Sequence, residues 1–192
     1  MVLVEERSIA AAASGASAGG VRQQGRDPRE MPLAIAAIAR WEHLEDELGA
    51  DIHYFREGHL KLYEREEDLH LAHQSARDQE ALGLDITVVE GRDLHELAPG
   101  IAPHPAAGPY TANDGHANPT LTPQAYAVAA ERDGAEIRTG VKVTGFKRTG
   151  VRITGITTSD GEIAADHVVL ASGAWTRDLV TPLRVDLPIF PA

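Results

Sequence analysis

The chain opens on the stretch MVLVEERSIAAAASGASAGGVR, residues 1–22, and the rest of the predicted fold is arranged around it. A short apolar run over residues 2–4 leads directly to Glu5, as in a buried parallel strand that delivers a carboxylate to its carboxyl end. Open α/β sheets bind ligands at that end, and an acidic side chain there can accept hydrogen bonds from ribose hydroxyl groups. The pattern therefore predicts that Glu5 is a ribose ligand.

The residues between Glu5 and Val21 are mostly Ala, Gly and Ser. Such small residues let the backbone approach a large flat ligand or a pyrophosphate and offer its N–H groups. Ser14 adds a hydroxyl donor. The same composition is typical of a flexible linker, so composition alone leaves a ligand-binding segment and an N-terminal tail as alternatives.

The spacing from Glu5 to Arg22 resembles a segment of FAD-dependent amino-acid and amine oxidoreductases, E-R-x-x-(I/L)-x-x-(G/A)-A-S-G-x-S-x-G-G-x-R. This is the family of glycine oxidase, the sarcosine oxidase β subunit and D-amino-acid dehydrogenase. Two later stretches are similar to the family in the same order: AVAAERDGAEIRTGVKVTG at residues 127–145 and HVVLASGAW at residues 167–175. The resemblance therefore runs over nearly the whole chain.

The resemblance implies an α/β (α+β) fold, in which an incomplete FAD-binding Rossmann-like domain carries an inserted antiparallel substrate lobe. The FAD-binding domain is expected at residues 1–49 and 119–180, and the substrate lobe at residues 50–118 and 181–192. The cofactor it implies is FAD.

The resemblance also implies roles for single residues. Val143 is expected to contact the adenine through its main chain, and Gly173 to let the chain turn next to the cofactor. Arg22 is the predicted catalytic residue, near the isoalloxazine, where a positive charge stabilises the reduced anionic flavin; a surface or phosphate-pairing role is the alternative. The full set of predicted cofactor-binding residues is Glu5, Glu6, Ala13, Ser14, Ala18, Gly19, Gly20, Val143 and Gly173.

One family feature has no counterpart in the sequence. The G-x-G-x-x-G phosphate loop should lie about 20 residues before the ribose acid, whereas the motif occurs nowhere here and Met1 lies just ahead of the first apolar run. The family's substrate-carboxylate arginine and its final Gly-rich segment are also expected beyond Ala192. We therefore expect the chain by itself to bind FAD weakly and to be inactive.

Hydrophobic periodicity predicts the remaining elements. The pattern predicts one helix over residues 35–48 ended by Gly49. The predicted lobe then has a hairpin over 52–63, a helix over 66–82, a strand over 86–89, a helical turn over 92–98 and a loop over 99–109. The later part reads as a helix over 123–133 capped by Thr122, strands over 135–138 and 141–143, a meander with turns at 149–150 and 160–161, and a strand over 168–170.

Composition excludes several classes of function. The formal net charge of −11 argues against nucleic-acid binding, which needs clustered Lys and Arg. The absence of Cys excludes disulfides, thiolate metal sites and a flavin tethered through sulfur. No apolar run reaches the roughly 18 residues of a membrane span, and the acidic start is unlike a signal peptide. We therefore expect a cytoplasmic protein without a membrane span.

The histidines offer weaker candidates. His70 and His73 have helical spacing and could share a metal, but the surrounding charges mark a solvated face, so no metal site is predicted. His53 and His59 rate no higher. His116 lies in a D-G-H turn, where it either orders the loop or contacts the active site from the substrate lobe.

Two functions remain open. The first is the oxidation of the C–N bond of a small amino acid or secondary amine to an imine, by hydride transfer to the flavin. The second is a truncated or split non-catalytic relative, or a subunit that needs a partner chain to complete the flavin site.

Overall fold

The computed structural model describes residues 1–104 and 107–189. In chain order its strands are β1 (Val2–Glu5), β2 (Gly20–Val21), β3 (His59–Leu60), β4 (Thr87–Glu90), β5 (Ala107–Thr111), β6 (Gly115–His116), β7 (Glu136–Thr139), β8 (Val143–Thr149), β9 (Arg152–Thr158) and β10 (Gly161–Ala164). Its helices are α1 (Met31–Trp41), α2 (Leu44–Leu48), α3 (Leu69–Glu80), α4 (Gly91–Leu97), α5 (Leu121–Arg132) and α6 (Thr176–Val180). Short 3₁₀ turns lie at Glu66–Asp68, Gly173–Trp175 and Thr181–Leu183.

The chain divides into two compact units, one of Met1–Ala11 with Ala130–Ala192 and one of Ala12–Ala129. The expected assignment of residues 1–49 and 119–180 to an FAD domain, and of 50–118 and 181–192 to a substrate lobe, stays a prediction. Residues 105–106 and 190–192, which that assignment and the predicted loop include, lie outside the described residues.

The first unit contains the strand that ends in Glu5. β1 pairs in parallel with β7, in a register that runs from Val2 opposite Glu136 to Glu5 opposite Thr139. This confirms the strand and its expected neighbour. Gly134, with a φ of +89°, ends α5 just before β7 and lets the chain turn into the sheet.

The predicted meander is also confirmed in this unit. β8, β9 and β10 form an antiparallel sheet in the order β10-β9-β8. Its two turns use Gly150 and Gly161, both with positive φ, at the two positions where the sequence predicted them.

The predicted strand over residues 168–170 does not form. No described residue pairs with it, and Val169 is 87% exposed. A strand depends on a neighbour for its backbone hydrogen bonds, so an apolar run without one stays irregular. The chain continues into the 3₁₀ turn at Gly173–Trp175 and α6.

In the second unit, the predicted helix over residues 35–48 is two helices, α1 and α2. The break is explained by packing, because Ile38 of α1 lies in one buried cluster and Leu44 and Leu48 of α2 lie in another. Gly49 ends α2 in the left-handed conformation, as predicted.

The hairpin predicted over residues 52–63 is wrong. Phe55 forms a bridge with His116, and His59 of β3 pairs with Thr111 of β5. β5 is largely buried and takes β3 on one side and β4 on the other. The residues of β3 therefore pair with β5 instead of folding back on each other in a local hairpin.

The helix after this sheet begins earlier than predicted. The side-chain oxygen of Asn118 accepts the N–H groups of Thr120 and Leu121, at 2.9 and 3.0 Å. Asn118 therefore caps α5, and Thr122 lies inside the helix with its hydroxyl donating to the Asn118 carbonyl. The elements predicted over residues 66–98 are present as α3, β4 and α4.

Candidate functional site

In the first unit, Glu5 lies half-buried at the carboxyl end of β1. Its Oε1 accepts the N–H of Arg7 at 2.8 Å, and its main-chain carbonyl accepts the N–H of Val141 at 3.1 Å. No described residue donates a hydrogen bond to Oε2. Glu5 is thus a partly desolvated carboxylate, held in place through one oxygen, whose other oxygen can accept hydrogen bonds from a ligand.

Lys142 is near two predicted cofactor-binding residues of the first unit, since it contacts Glu6 and directly precedes Val143 in sequence. The Lys142 ammonium lies 2.9 Å from Glu6 Oε1, so Glu6 is ion-paired, whereas no cationic side chain of the described residues pairs with Glu5. Val143 is half-buried and begins β8, opposite Thr158. Its predicted main-chain contact with adenine stays a prediction.

Gly173 is an open position in the first unit. It has a φ of +54°, and a Cβ built on it would meet no atom within 4 Å. Nearby in sequence, the Trp175 ring carries the Arg7 guanidinium 5.9 Å from its centroid. The positive φ explains why Gly suits this turn, and the space above it suits the close approach of a flat ligand.

In the second unit, Ala13 and Ser14 are exposed in a turn, and Ala18 is exposed just before Gly19. Gly19 has a φ of +74°, and a Cβ on it would lie 2.2 Å from the Ala117 carbonyl oxygen. Gly20, by contrast, faces open space. The two glycines therefore differ: packing requires the first, while the second is accessible.

Asp114 forms a buried polar centre that sequence reasoning missed. It is fully buried, and its Oδ1 accepts the main-chain N–H of Gln23 at 2.8 Å and that residue's side-chain amide at 3.1 Å. Its Oδ2 accepts the N–H of Gln24 at 3.0 Å. The D-G-H run pointed to His116, which is exposed; the signal for Asp114 was the polar pair Gln23-Gln24, which follows the short strand β2 after Arg22.

Gln24 extends this centre to the β3-β5 pair. Gln24 is 1% exposed, and its Nε2 donates to the Pro109 carbonyl at 2.9 Å. Its Oε1 lies within hydrogen-bond distance of His59 Nδ1. Burial lowers the pKa of the His59 imidazole below its ordinary value, and the positive charge of Arg22 lowers it further.

Arg22 itself is exposed, and within the described residues its guanidinium has no ion-pair partner. Its main-chain carbonyl accepts a hydrogen bond from Arg26 Nε at 3.1 Å. It follows β2, which pairs with β6, and precedes the two glutamines bound to Asp114. Its main chain is therefore held on both sides while its side chain is available.

Two of the other histidines, His70 and His73, have local partners. His73 Nε2 lies 2.6 Å from Glu90 Oε1, and His70 Nδ1 lies 2.8 Å from the Glu67 carbonyl. Across residues 1–104 and 107–189, no group of three or more His, Cys, Asp or Glu could hold a metal ion. No helix in the same part of the chain is long and apolar enough to cross a membrane.

Comparison with known proteins identifies the class. Residues 1–192 match the family described as FAD dependent oxidoreductase (DAO). The chain therefore belongs to this family, and FAD is the family's cofactor, as the resemblance implied.

Individual relatives are consistent with this family assignment. The chain is 28% identical to glycine oxidase of Pseudomonas putida over 85% of its length, and 23% identical to mitochondrial dimethylglycine dehydrogenase of Rattus norvegicus over 100%. The crystal structure of glycine oxidase from Geobacillus kaustophilus superposes with a TM-score of 0.89 at 26% identity, over 99% of this chain. This likeness confirms the expected fold class, a Rossmann-like α/β FAD-binding fold with an antiparallel lobe.

The chain spans only part of these proteins. It covers 46% of the Pseudomonas glycine oxidase, 22% of the dimethylglycine dehydrogenase and 53% of the Geobacillus glycine oxidase. The family match thus covers all of this chain, while the chain covers about half or less of each of these relatives.

The described residues fit the family's cofactor. Glu5 offers an unpartnered carboxylate oxygen at a strand end, which suits a ribose diol. Gly20 and Gly173 face open space, where a planar ring or a pyrophosphate can approach the backbone.

Proposed function

We propose that this chain binds FAD and takes part in oxidising the C–N bond of a small amino acid or secondary amine to an imine. The observation that carries the proposal is Glu5, a half-buried carboxylate at the end of a parallel strand with one oxygen free of described partners. It stands in a chain that matches the FAD dependent oxidoreductase family from residue 1 to residue 192.

Each residue has a definite task under this proposal. Glu5 Oε2 accepts hydrogen bonds from the ribose hydroxyl groups, while the Arg7 N–H keeps Oε1 in place. In the second unit, Arg22 supplies a positive charge that favours the reduced anionic flavin. FAD, when bound, supplies the acceptor for the hydride that leaves the carbon next to nitrogen.

The proposed substrate class rests on the relatives. The relatives include a glycine oxidase and a dimethylglycine dehydrogenase, so a small amino acid or N-methylated amine is the proposed substrate.

The test is FAD binding by the 192-residue chain with and without Glu5. Flavin fluorescence quenching measures the affinity, and Glu5→Ala should weaken binding by about 1–3 kcal/mol, because a charge-assisted hydrogen bond is lost. His70→Ala and His73→Ala should leave the affinity unchanged, and Glu162→Gln in β10 is a control for the loss of one negative charge.

Since binding by this chain is expected to be weak, the adenosine half should be tested alone with ADP. Chemical-shift changes on adding ADP should centre on Glu5 and Val143 and disappear in Glu5→Ala. No response to either ligand, or an equal loss of affinity in His70→Ala, would contradict the proposal.

Turnover separates the two functional alternatives. With FAD bound, the anaerobic loss of flavin absorbance on adding glycine, sarcosine or a D-amino acid tests catalysis directly. Binding of FAD without any reduction would favour a non-catalytic relative or a subunit that needs a partner chain.

A further inference from the structure

His59 is the one partly buried histidine of the second unit that contacts the polar centre around Asp114 in the described residues. It lies in β3 opposite Thr111 of β5, so its backbone is fixed by the sheet. The proposed function gives it no task. Its contacts nevertheless determine which of its ring nitrogens carries the proton.

The proton assignment follows from Gln24. The Gln24 amide donates from Nε2 to the Pro109 carbonyl, so its nitrogen faces that strand and its oxygen faces the histidine. An amide oxygen only accepts hydrogen bonds, so the facing His59 Nδ1 must donate. His59 is thus the Nδ1–H tautomer when neutral.

The Gln24–His59 hydrogen bond is linked to Arg22 through the main chain, because Gln24 lies two residues after Arg22. Gln24 is bound by its N–H to Asp114 and by its side chain to Pro109 and His59. Gly25 continues the fixed segment, because its N–H donates to the buried Gln79 side chain at 2.6 Å. The backbone carrying Arg22 is therefore anchored on its carboxyl side by three consecutive residues, and His59 completes the middle anchor.

We infer that His59 is a positioning residue, whose Nδ1–H fixes the Gln24 amide and thereby the direction in which the Arg22 side chain leaves the backbone. The relevance of that direction to flavin chemistry rests on the proposed function. The hydrogen bond itself does not, so the two can be tested separately.

Two substitutions distinguish positioning from general packing. In His59→Asn, the side-chain amide places its Nδ2 close to the position of the imidazole Nδ1 and keeps the donor. In His59→Leu, the volume is retained but the donor is lost, and the buried Gln24 oxygen is left without its partner. His70→Leu, an exposed histidine on α3, is the matched control.

The measurement is NMR of the flavin-free chain. The ring ¹⁵N shifts of His59 should show the Nδ1–H tautomer at neutral pH. In His59→Leu, hydrogen exchange at the Gln24 side-chain amide should rise about 10-fold or more, and the Arg22 Nε–H resonance should move. Both signals should return close to their wild-type values in His59→Asn and be unaffected in His70→Leu.

Three results would overturn the inference: an Nε2–H tautomer, a Gln24 amide unaffected by His59→Leu, or a His59→Asn chain that behaves like His59→Leu. FAD titration of the same proteins tests the proposed function independently. A chain that binds no FAD but shows the tautomer and the rescue would refute the proposed function and leave the positioning role in place.

Discussion

Glu5 and Asp114 are both carboxylates beside short strands, yet they differ in burial and in the hydrogen bonds they accept. Among the described residues, the half-buried Glu5 carboxylate accepts one hydrogen bond, whereas the fully buried Asp114 carboxylate accepts three. A buried carboxylate with this many donors holds distant segments together, because leaving those donors unpaired would be costly. A carboxylate with an unpartnered oxygen near the surface can instead take a ligand. The same chemical group thus serves structure in the second unit, and in the first unit it is the proposed ligand of the ribose.

Removing the Asp114 carboxylate should have the largest effect on the free energy of unfolding. Asp114→Ala leaves two main-chain N–H groups and one side-chain amide of the neighbouring glutamines buried without acceptors, so we expect a loss of about 3–5 kcal/mol in the free energy of unfolding. Urea denaturation measures it. Asp166→Ala, at a 92% exposed carboxylate 3.8 Å from Arg152, should change stability by less than about 0.5 kcal/mol. A loss below 1 kcal/mol for Asp114→Ala would mean that water replaces the carboxylate.

A substitution at Gly19 tests a second contact close to the Asp114 centre, the packing of Gly19 against Ala117. In Gly19→Ala, the new Cβ would lie 2.2 Å from the Ala117 carbonyl oxygen at a φ of +74°, and the expected cost is about 2–4 kcal/mol. Gly134→Ala is the matched control, because its φ is +89° but the space around it is open. It should cost only about 1 kcal/mol of backbone strain. Equal losses in the two variants would show that the contact with Ala117 relaxes freely.

The contrast also explains what the sequence could predict. Glu5, β1 and its neighbour β7 were predictable because an apolar run ending in an acid, and a helix ended by Gly134, are local patterns. The Asp114 centre joins residues about 90 positions apart, and no local pattern encodes such a pairing.

The two wrong predictions of secondary structure have the same cause, the dependence of a strand on a partner far away in sequence. The hairpin over residues 52–63 failed because β5, some fifty residues later, offered a better partner to β3. The strand over 168–170 failed because its apolar run depended on a neighbour that the described residues do not supply. Periodicity reports what a segment could pair with, and only the fold decides what it does pair with.

Glu5→Ala should affect stability far less than Asp114→Ala. Only the hydrogen bond from the Arg7 N–H is lost, and that N–H is exposed and can bind water. We expect a decrease of about 0.5–1 kcal/mol in the free energy of unfolding, measured by urea denaturation without ligand. A loss as large as that of Asp114→Ala would assign Glu5 a structural role and weaken its case as a ribose ligand.

The smallest expected effect is the pH dependence contributed by His59, at the edge of the buried centre. Burial and the charge of Arg22 lower its pKa in the folded chain below the ordinary 6.5, so between these values the unfolded chain binds more protons. The stabilisation from a neutral His59 is therefore complete above pH 6.5 and is lost as the pH falls through the folded pKa. His59→Asn keeps the donor but binds no proton, while all other titrating groups are common to both proteins. Urea midpoints at pH 7.5 and 5.0 should thus show wild type losing more stability on acidification than His59→Asn. The difference should be small because the imidazole is only partly buried. Parallel pH curves for the two proteins would show that His59 titrates as it does in the unfolded chain, and would contradict the lowering of its pKa by burial and Arg22.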